Sequence, residues 1–227
     1  DFCLSRGLGD VYKRQHKVHA VVAYPVYTPS PEAQYPRPLE ELFTALLHIV
    51  ENAGRYRIDA GRLAIAGDSV GGNMSAALTL MAKANGNVPP IKEQLLLYPV
   101  TDDDFETESY KDFAEGPWLT KKAMEWFWNA YAPEAADREK ITVCPLKADT
   151  EQLRGLPPAL VITDENDVLR DEGEAYARKL DEAGVEVCCV RFNGTIHDFM
   201  MLNALAKTPQ TRTAVALAAA FLREHLS

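Results

Sequence analysis

The sequence predicts one α/β domain built on a mainly parallel sheet with helices on both faces. Apolar strand-like runs alternate with amphipathic helical segments along the chain. A length of 227 residues, 47% hydrophobic and 25% charged, is enough for a single large core. A glycine-flanked serine, Gly67-Asp68-Ser69-Val70-Gly71, stands where an apolar run gives way to a helix-compatible segment.

In chain order, strands are expected near 18–24, 62–66, 92–98, 158–163 and 186–192, where the apolar runs are short and bounded by turn residues. Helices are expected near 38–53, 71–84, 120–131, 171–183 and 209–225. The helix at 171–183 opens on Asp171, Glu172 and Glu174 and carries Arg178 and Lys179 later, charges that complement its dipole at both ends. Asp171 therefore reads as part of a cap rather than as a catalytic acid. The stretch from Thr101 to Asp149 is too long for an ordinary connection and reads as a lid. Its helix sets Ala123, Met124, Phe127, Trp128 and Tyr131 on one face, with Trp126 beside them and Trp118 just before.

The net charge of −9 argues against nucleic acid or an anionic membrane as partner and suits a small neutral substrate. Cys3, Cys144, Cys188 and Cys189 form no C-x-x-C pair, so neither a disulfide framework nor a zinc site is implied. Reduced thiols, no signal peptide and no membrane-spanning run give the expectation of a cytoplasmic protein. The oligomeric state is left open.

The chemistry centres on Ser69. On a strand-to-helix elbow a serine hydroxyl projects clear of the sheet, and Gly67 and Gly71 are expected to make room for the turn. A hydroxyl needs a base, and the base an orienting acid. The apolar run Leu160–Thr163 leads into Asp164-Glu165-Asn166-Asp167, and Val187–Phe192 leads into Asn193-Gly194-Thr195-Ile196-His197-Asp198. The order Ser, Asp, His, each after a strand, is that of the α/β-hydrolase arrangement. Ser69 is the candidate nucleophile, His197 the base and Asp167 the acid, with the Val70 N–H as an oxyanion donor. Asp68, Phe113 and Trp118 are candidate substrate contacts. No metal or organic cofactor is needed.

Further motifs carry a family resemblance from about residue 18 onward. Tyr27-Thr28-Pro29-Ser30-Pro31-Glu32, Ile58-Asp59 with Arg62, Leu156-Pro157-Pro158-Ala159 and Asp167-Val168-Leu169-Arg170-Asp171-Glu172-Gly173 resemble elements of the hormone-sensitive-lipase-like α/β-hydrolase esterases (alpha/beta hydrolase fold-3). Position by position, the resemblance gives the acid role to Asp167. It departs at Val70, where alanine is usual, at Thr28, where arginine is usual, and at Asp198, where glycine usually follows the histidine.

The resemblance implies a carboxylic ester hydrolase acting on short rather than long acyl chains, with the 101–149 segment contributing to a cap. It also implies a His-Gly-Gly-Gly loop before Tyr27, which supplies most of the oxyanion hole; no such loop occurs in the sequence. The expectation is therefore an N-terminally truncated chain. Residues 1–15 read as a non-native scar, followed by one α/β-hydrolase domain over 16–227 with its insertion at 101–149. Weak turnover is expected from an incomplete oxyanion hole. Other readings stay open: an inert fragment, an amide or peptide hydrolase using the same triad, or a non-catalytic binding protein. The plant gibberellin receptor, which resembles the family but lacks the histidine, illustrates the last.

Overall fold

The computed structural model describes Val18 and residues 20–226. Residues 1–15, expected to be foreign to the fold, lie outside that range. Four parallel strands form the sheet in the order β1 (Ala64–Asp68), β2 (Glu93–Leu97), β3 (Ala159–Asn166), β4 (Val187–Ile196). Five longer helices accompany them: α1 (Arg37–Glu51), α2 (Val70–Asn85), α3 (Lys121–Tyr131), α4 (Arg170–Glu182) and α5 (Pro209–Leu226).

Register fixes which side chains face which helices. Leu95 stands opposite Leu160, and Leu160 opposite Cys188. Because side chains alternate along a strand, Leu96 and Val161 point to one face, where Ala76 and Leu80 of α2 meet Tyr176, Ala177 and Leu180 of α4. Leu95, Leu97, Leu160 and Ile162 point to the other, against Ala214, Val215, Ala218 and Leu222 of α5. β2 is buried along its whole length, which explains its unbroken apolar run Leu95-Leu96-Leu97. Each fully buried leucine contributes about 1.5–3 kcal/mol.

The strand expected at 18–24 is not formed by the described residues of that range. Residues 20–24 lie in no ladder, and Val21 and Tyr24 are exposed. Among the described residues β1 pairs only with β2, so its outer edge has no partner strand. An apolar run marks affinity for a sheet; the ladder also requires a neighbouring strand in register, which residues 20–24 do not meet among the described residues. β3 and β4 in turn extend beyond expectation, to Asn166 and Ile196. Their pairing continues through a bulge between Asp164 and Asn166, so Asp164 and Thr195 belong to strands rather than loops.

The connection 101–149 holds short helices at Glu108–Asp112 and Ala135–Arg138 as well as α3. Thr120 caps α3 by accepting the Ala123 N–H at 3.1 Å. Met124, Trp128 and Tyr131 form its buried face, whereas Phe127, expected beside them, is exposed with Trp126. That buried face joins Leu39 and Leu42 of α1, Met74 and Leu78 of α2, and Val168 and Leu169 in a third apolar cluster.

Candidate active site

β1 ends at Asp68 and α2 begins at Val70, so the chain must reverse within Ser69. That residue has φ 54° and ψ −120°, a region costly for any side chain, of the order of 1–3 kcal/mol. Three backbone hydrogen bonds hold it there. Its N–H donates to Leu97 O at 2.9 Å, and its carbonyl accepts from Asn73 N at 3.1 Å and Val100 N at 3.3 Å. A Cβ on Gly67 would run into the backbone carbonyl of Gly71, and one on Gly72 would lie 2.8 Å from Pro99 Cβ. A Cβ on Gly71 would meet nothing nearer than Asp68 Oδ1 at 4.0 Å. The glycines that let the helix close onto the strand are thus Gly67 and Gly72, not the expected pair Gly67 and Gly71.

His197 follows β4 and its side chain is buried. Nε2 lies 3.0 Å from Ser69 Oγ and Nδ1 lies 2.7 Å from Asp167 Oδ2. With Nδ1–H donated to Asp167, the ring presents its Nε2 lone pair to the serine hydroxyl. Asp167 is fixed in turn, its Oδ1 accepting the Leu169 N–H at 3.1 Å. The edge-on ring of Tyr98, 5.0 Å from the imidazole centroid, packs the histidine from the β2 side. Val70, first residue of α2, has an N–H that the helix itself cannot satisfy, at the positive end of the dipole.

The electrostatics of the imidazole are a contest. Burial disfavours the charged ring, but Asp167 foremost, then Asp198, outweigh it and push its pKa up to about 9. Asp198 Oδ1 is 3.7 Å from Nε2, and Asp198 Oδ2 accepts Trp118 Nε1–H at 3.3 Å. Trp118 therefore reaches the rim of the serine–histidine pair. Phe113 instead packs against the core of the connection and under the Arg170 guanidinium, 5.5 Å from its ring. Asp68 sits at the end of β1 beside Gly71.

Asp171, expected in a cap of its own helix, accepts the Ser109 N–H at 2.7 Å in the short helix of the connection. α4 begins without a side-chain cap. Two groups of possible metal ligands occur among the described residues. Asp164, Asp167 and His197 lie together, but Nδ1 is already committed to Asp167. Asp102, Asp103 and Cys144 lie together, but the Lys147 ammonium occupies Asp103 at 2.8 Å. Neither donor set is arranged for a cation. Sequence reasoning did not find Tyr98 or the proximity of Asp164, because both depend on strand register rather than on a local motif.

A serine on a strained strand-to-helix elbow, with a histidine and a carboxylate arriving from successive strands of a parallel sheet, defines the α/β-hydrolase class. The chain belongs to the alpha/beta hydrolase fold family, whose sequence profile matches residues 13–201, the hormone-sensitive-lipase-like group its motifs resemble. It is 42% identical over 202 residues to a putative alpha/beta hydrolase of Acanthamoeba polyphaga mimivirus, covering 89% of this chain and 58% of that protein. It is 33% identical over 200 residues to the ethyl acetate hydrolase of Pseudomonas putida, covering 88% of this chain and 62% of that one. The crystal structure of a thermostable esterase from Pseudomonas putida superposes with a TM-score of 0.95 at 49% identity, covering 98% of this chain and 69% of the esterase. The chain thus spans about three fifths of the length of these two curated relatives.

Proposed function

We propose that the protein is a serine carboxylic ester hydrolase acting on short-chain acyl esters, with Ser69, His197 and Asp167 as its triad. The observation that carries this reading is the continuous relay from Asp167 Oδ2 through His197 to Ser69 Oγ, at 2.7 and 3.0 Å. Ser69 Oγ attacks the ester carbonyl carbon as its proton passes to His197 Nε2. The resulting oxyanion receives the Val70 N–H, and Asp167 stabilises the imidazolium. Collapse breaks the bond to the alkoxide, which leaves with the proton from Nε2. Water, deprotonated by the same nitrogen, then cleaves the acyl-serine and releases the acid.

The similarity to an ethyl acetate hydrolase favours short acyl chains. The Trp118–Asp198 contact favours placing the start of the 101–149 connection at the mouth of the site, as a lid would be. The test is hydrolysis of a short-chain p-nitrophenyl ester by the protein and by its Ser69→Ala variant. Turnover should fall by about 10⁴-fold or more without the nucleophile. Equal rates for the two would overturn the assignment.

A further inference from the structure

A second carboxyl lies within the relay without a role in it. Asp164, on β3, is fully buried, and one of its oxygens lies with Asp167 and His197 in a set whose ligating atoms are all within 4.8 Å of one another. Its own bonding is slight. Oδ1 accepts from Thr195 Oγ1 at 3.3 Å, but that hydroxyl also donates to Phe192 O at 2.6 Å, the shorter contact. Oδ2 has no hydrogen-bond partner among the described residues. Leaving a buried acceptor idle is unfavourable, so a purely structural position would be better filled by a smaller or apolar side chain.

We propose that Asp164 is a reserve acid for His197, able to take over the orientation of the imidazole when Asp167 is lost. The proposal rests on the triad reading above. Two buried carboxylates at this separation do not both ionise readily. Asp167 holds the negative charge because it receives both His197 Nδ1–H and the Leu169 N–H. Asp164 accordingly keeps its proton; burial and then the charge on Asp167 hold its carboxyl well above the ordinary carboxylate range. Removing Asp167 removes that repulsion. The attraction of the imidazolium then works against burial alone, so the proton of Asp164 passes to bulk water and the carboxylate left behind can accept Nδ1–H. Asp198 cannot substitute, since it approaches the ring from the Nε2 side. The titratable groups facing this cluster are Asp167, His197 and Asp198, with Tyr98 packed edge-on against the imidazole.

The experiment compares Asp167→Ala with the double variant Asp164→Asn/Asp167→Ala, both retaining Asp198. The midpoint of the His197 imidazole titration is read by NMR, and hydrolysis of the short-chain p-nitrophenyl ester is followed in parallel. In Asp167→Ala the histidine should titrate at least one unit higher than in the double variant, a tenfold difference in proton affinity. Hydrolysis should be at least tenfold faster. Coincident titration midpoints would overturn the proposal. If Asp167→Ala does not fold, Asp167→Asn and its Asp164→Asn partner replace the pair, with thermal unfolding as the check on integrity. The titration decides the reserve role without turnover, whereas persistence of hydrolysis in Ser69→Ala would count against the esterase reading alone.

Discussion

Alanine at Gly67 and alanine at Gly71 should have opposite effects, although both glycines belong to the same G-x-S-x-G motif. A Cβ at position 67 would overlap the carbonyl of Gly71 and lie 2.7 Å from Ser75 Oγ. The serine can rotate, but the first turn of α2 cannot, so the elbow must open. Overpacking of this kind costs about 1–3 kcal/mol, or about 2–12 °C in melting temperature for a domain of this size. The same opening would displace Ser69 Oγ from His197, and a shift of about 1 Å can cost about 10²-fold in rate. At position 71 the nearest atom is 4.0 Å away, and the residue lies inside a helix, where alanine is favoured over glycine by about 0.5–1 kcal/mol. Gly71→Ala should therefore melt about 1–4 °C above the parent. Thermal unfolding by circular dichroism measures both. A Gly67→Ala protein that melts with the parent, or a Gly71→Ala protein as destabilised as Gly67→Ala, would refute the steric account of the elbow.

Two other substitutions probe the surroundings of the relay. Asp198→Asn removes a charge 3.7 Å from His197 Nε2 that favours the imidazolium, so the histidine should lose its proton at lower pH. An attraction of about 1 kcal/mol at this separation corresponds to about half to one unit. The acid limb of the kcat/KM profile should move down by that amount and raise activity near neutrality; an unmoved or raised limb would contradict the assignment. Glu172→Ala removes the acceptor of the Thr101 and Asp102 N–H groups, at 2.6 and 3.2 Å, and should cost about 2–5 kcal/mol in denaturant unfolding. Glu172→Gln retains an acceptor oxygen and should cost under about 1 kcal/mol, and equal losses for the two would show that the backbone contacts are not what the side chain supplies.

Much of this architecture was legible because it is local. The helices at 37–51, 70–85, 121–131, 170–182 and 209–226 begin and end within two residues of expectation, since amphipathic periodicity and capping are properties of contiguous sequence. Ser69, Asp167 and His197 could each be located by the strand before it, and the fold brings them together. What could not be read depends on partners distant in sequence. The apolar run at 18–24 resembles a strand, but Val21 and Tyr24 are exposed and residues 20–24 join no ladder among the described residues. Asp164 resembles the start of a polar loop, yet β4 pairs with β3 up to and beyond it, and the ladder buries its carboxyl. Asp198 occupies a left-handed position, φ 67°, which accounts for the glycine usual there in the resembling family. A charged residue at that point brings a carboxylate to the imidazole that a glycine cannot supply.

The connection 101–149 braces both halves of the relay. On the Ser69 side, Asn73 of α2 donates to Val100 O and Val143 O at 3.0 and 2.8 Å, fastening the helix behind Ser69 to both ends of the excursion. On the acid side, Ser109 Oγ donates to Val168 O at 2.7 Å, the Ser109 N–H reaches Asp171, and Glu172 gathers the N–H groups of Thr101 and Asp102. These bonds flank Asp167 without touching it. Buried polar contacts of this kind are satisfied in only one arrangement, so they fix the distance between elbow and acid loop more sharply than apolar packing would. His197 lies between those two anchored points, bonded to Ser69 on one ring nitrogen and to Asp167 on the other. The length of the connection thus follows from the need to reach both anchors, and coverage of a substrate by Trp118 would be an additional use of the same segment.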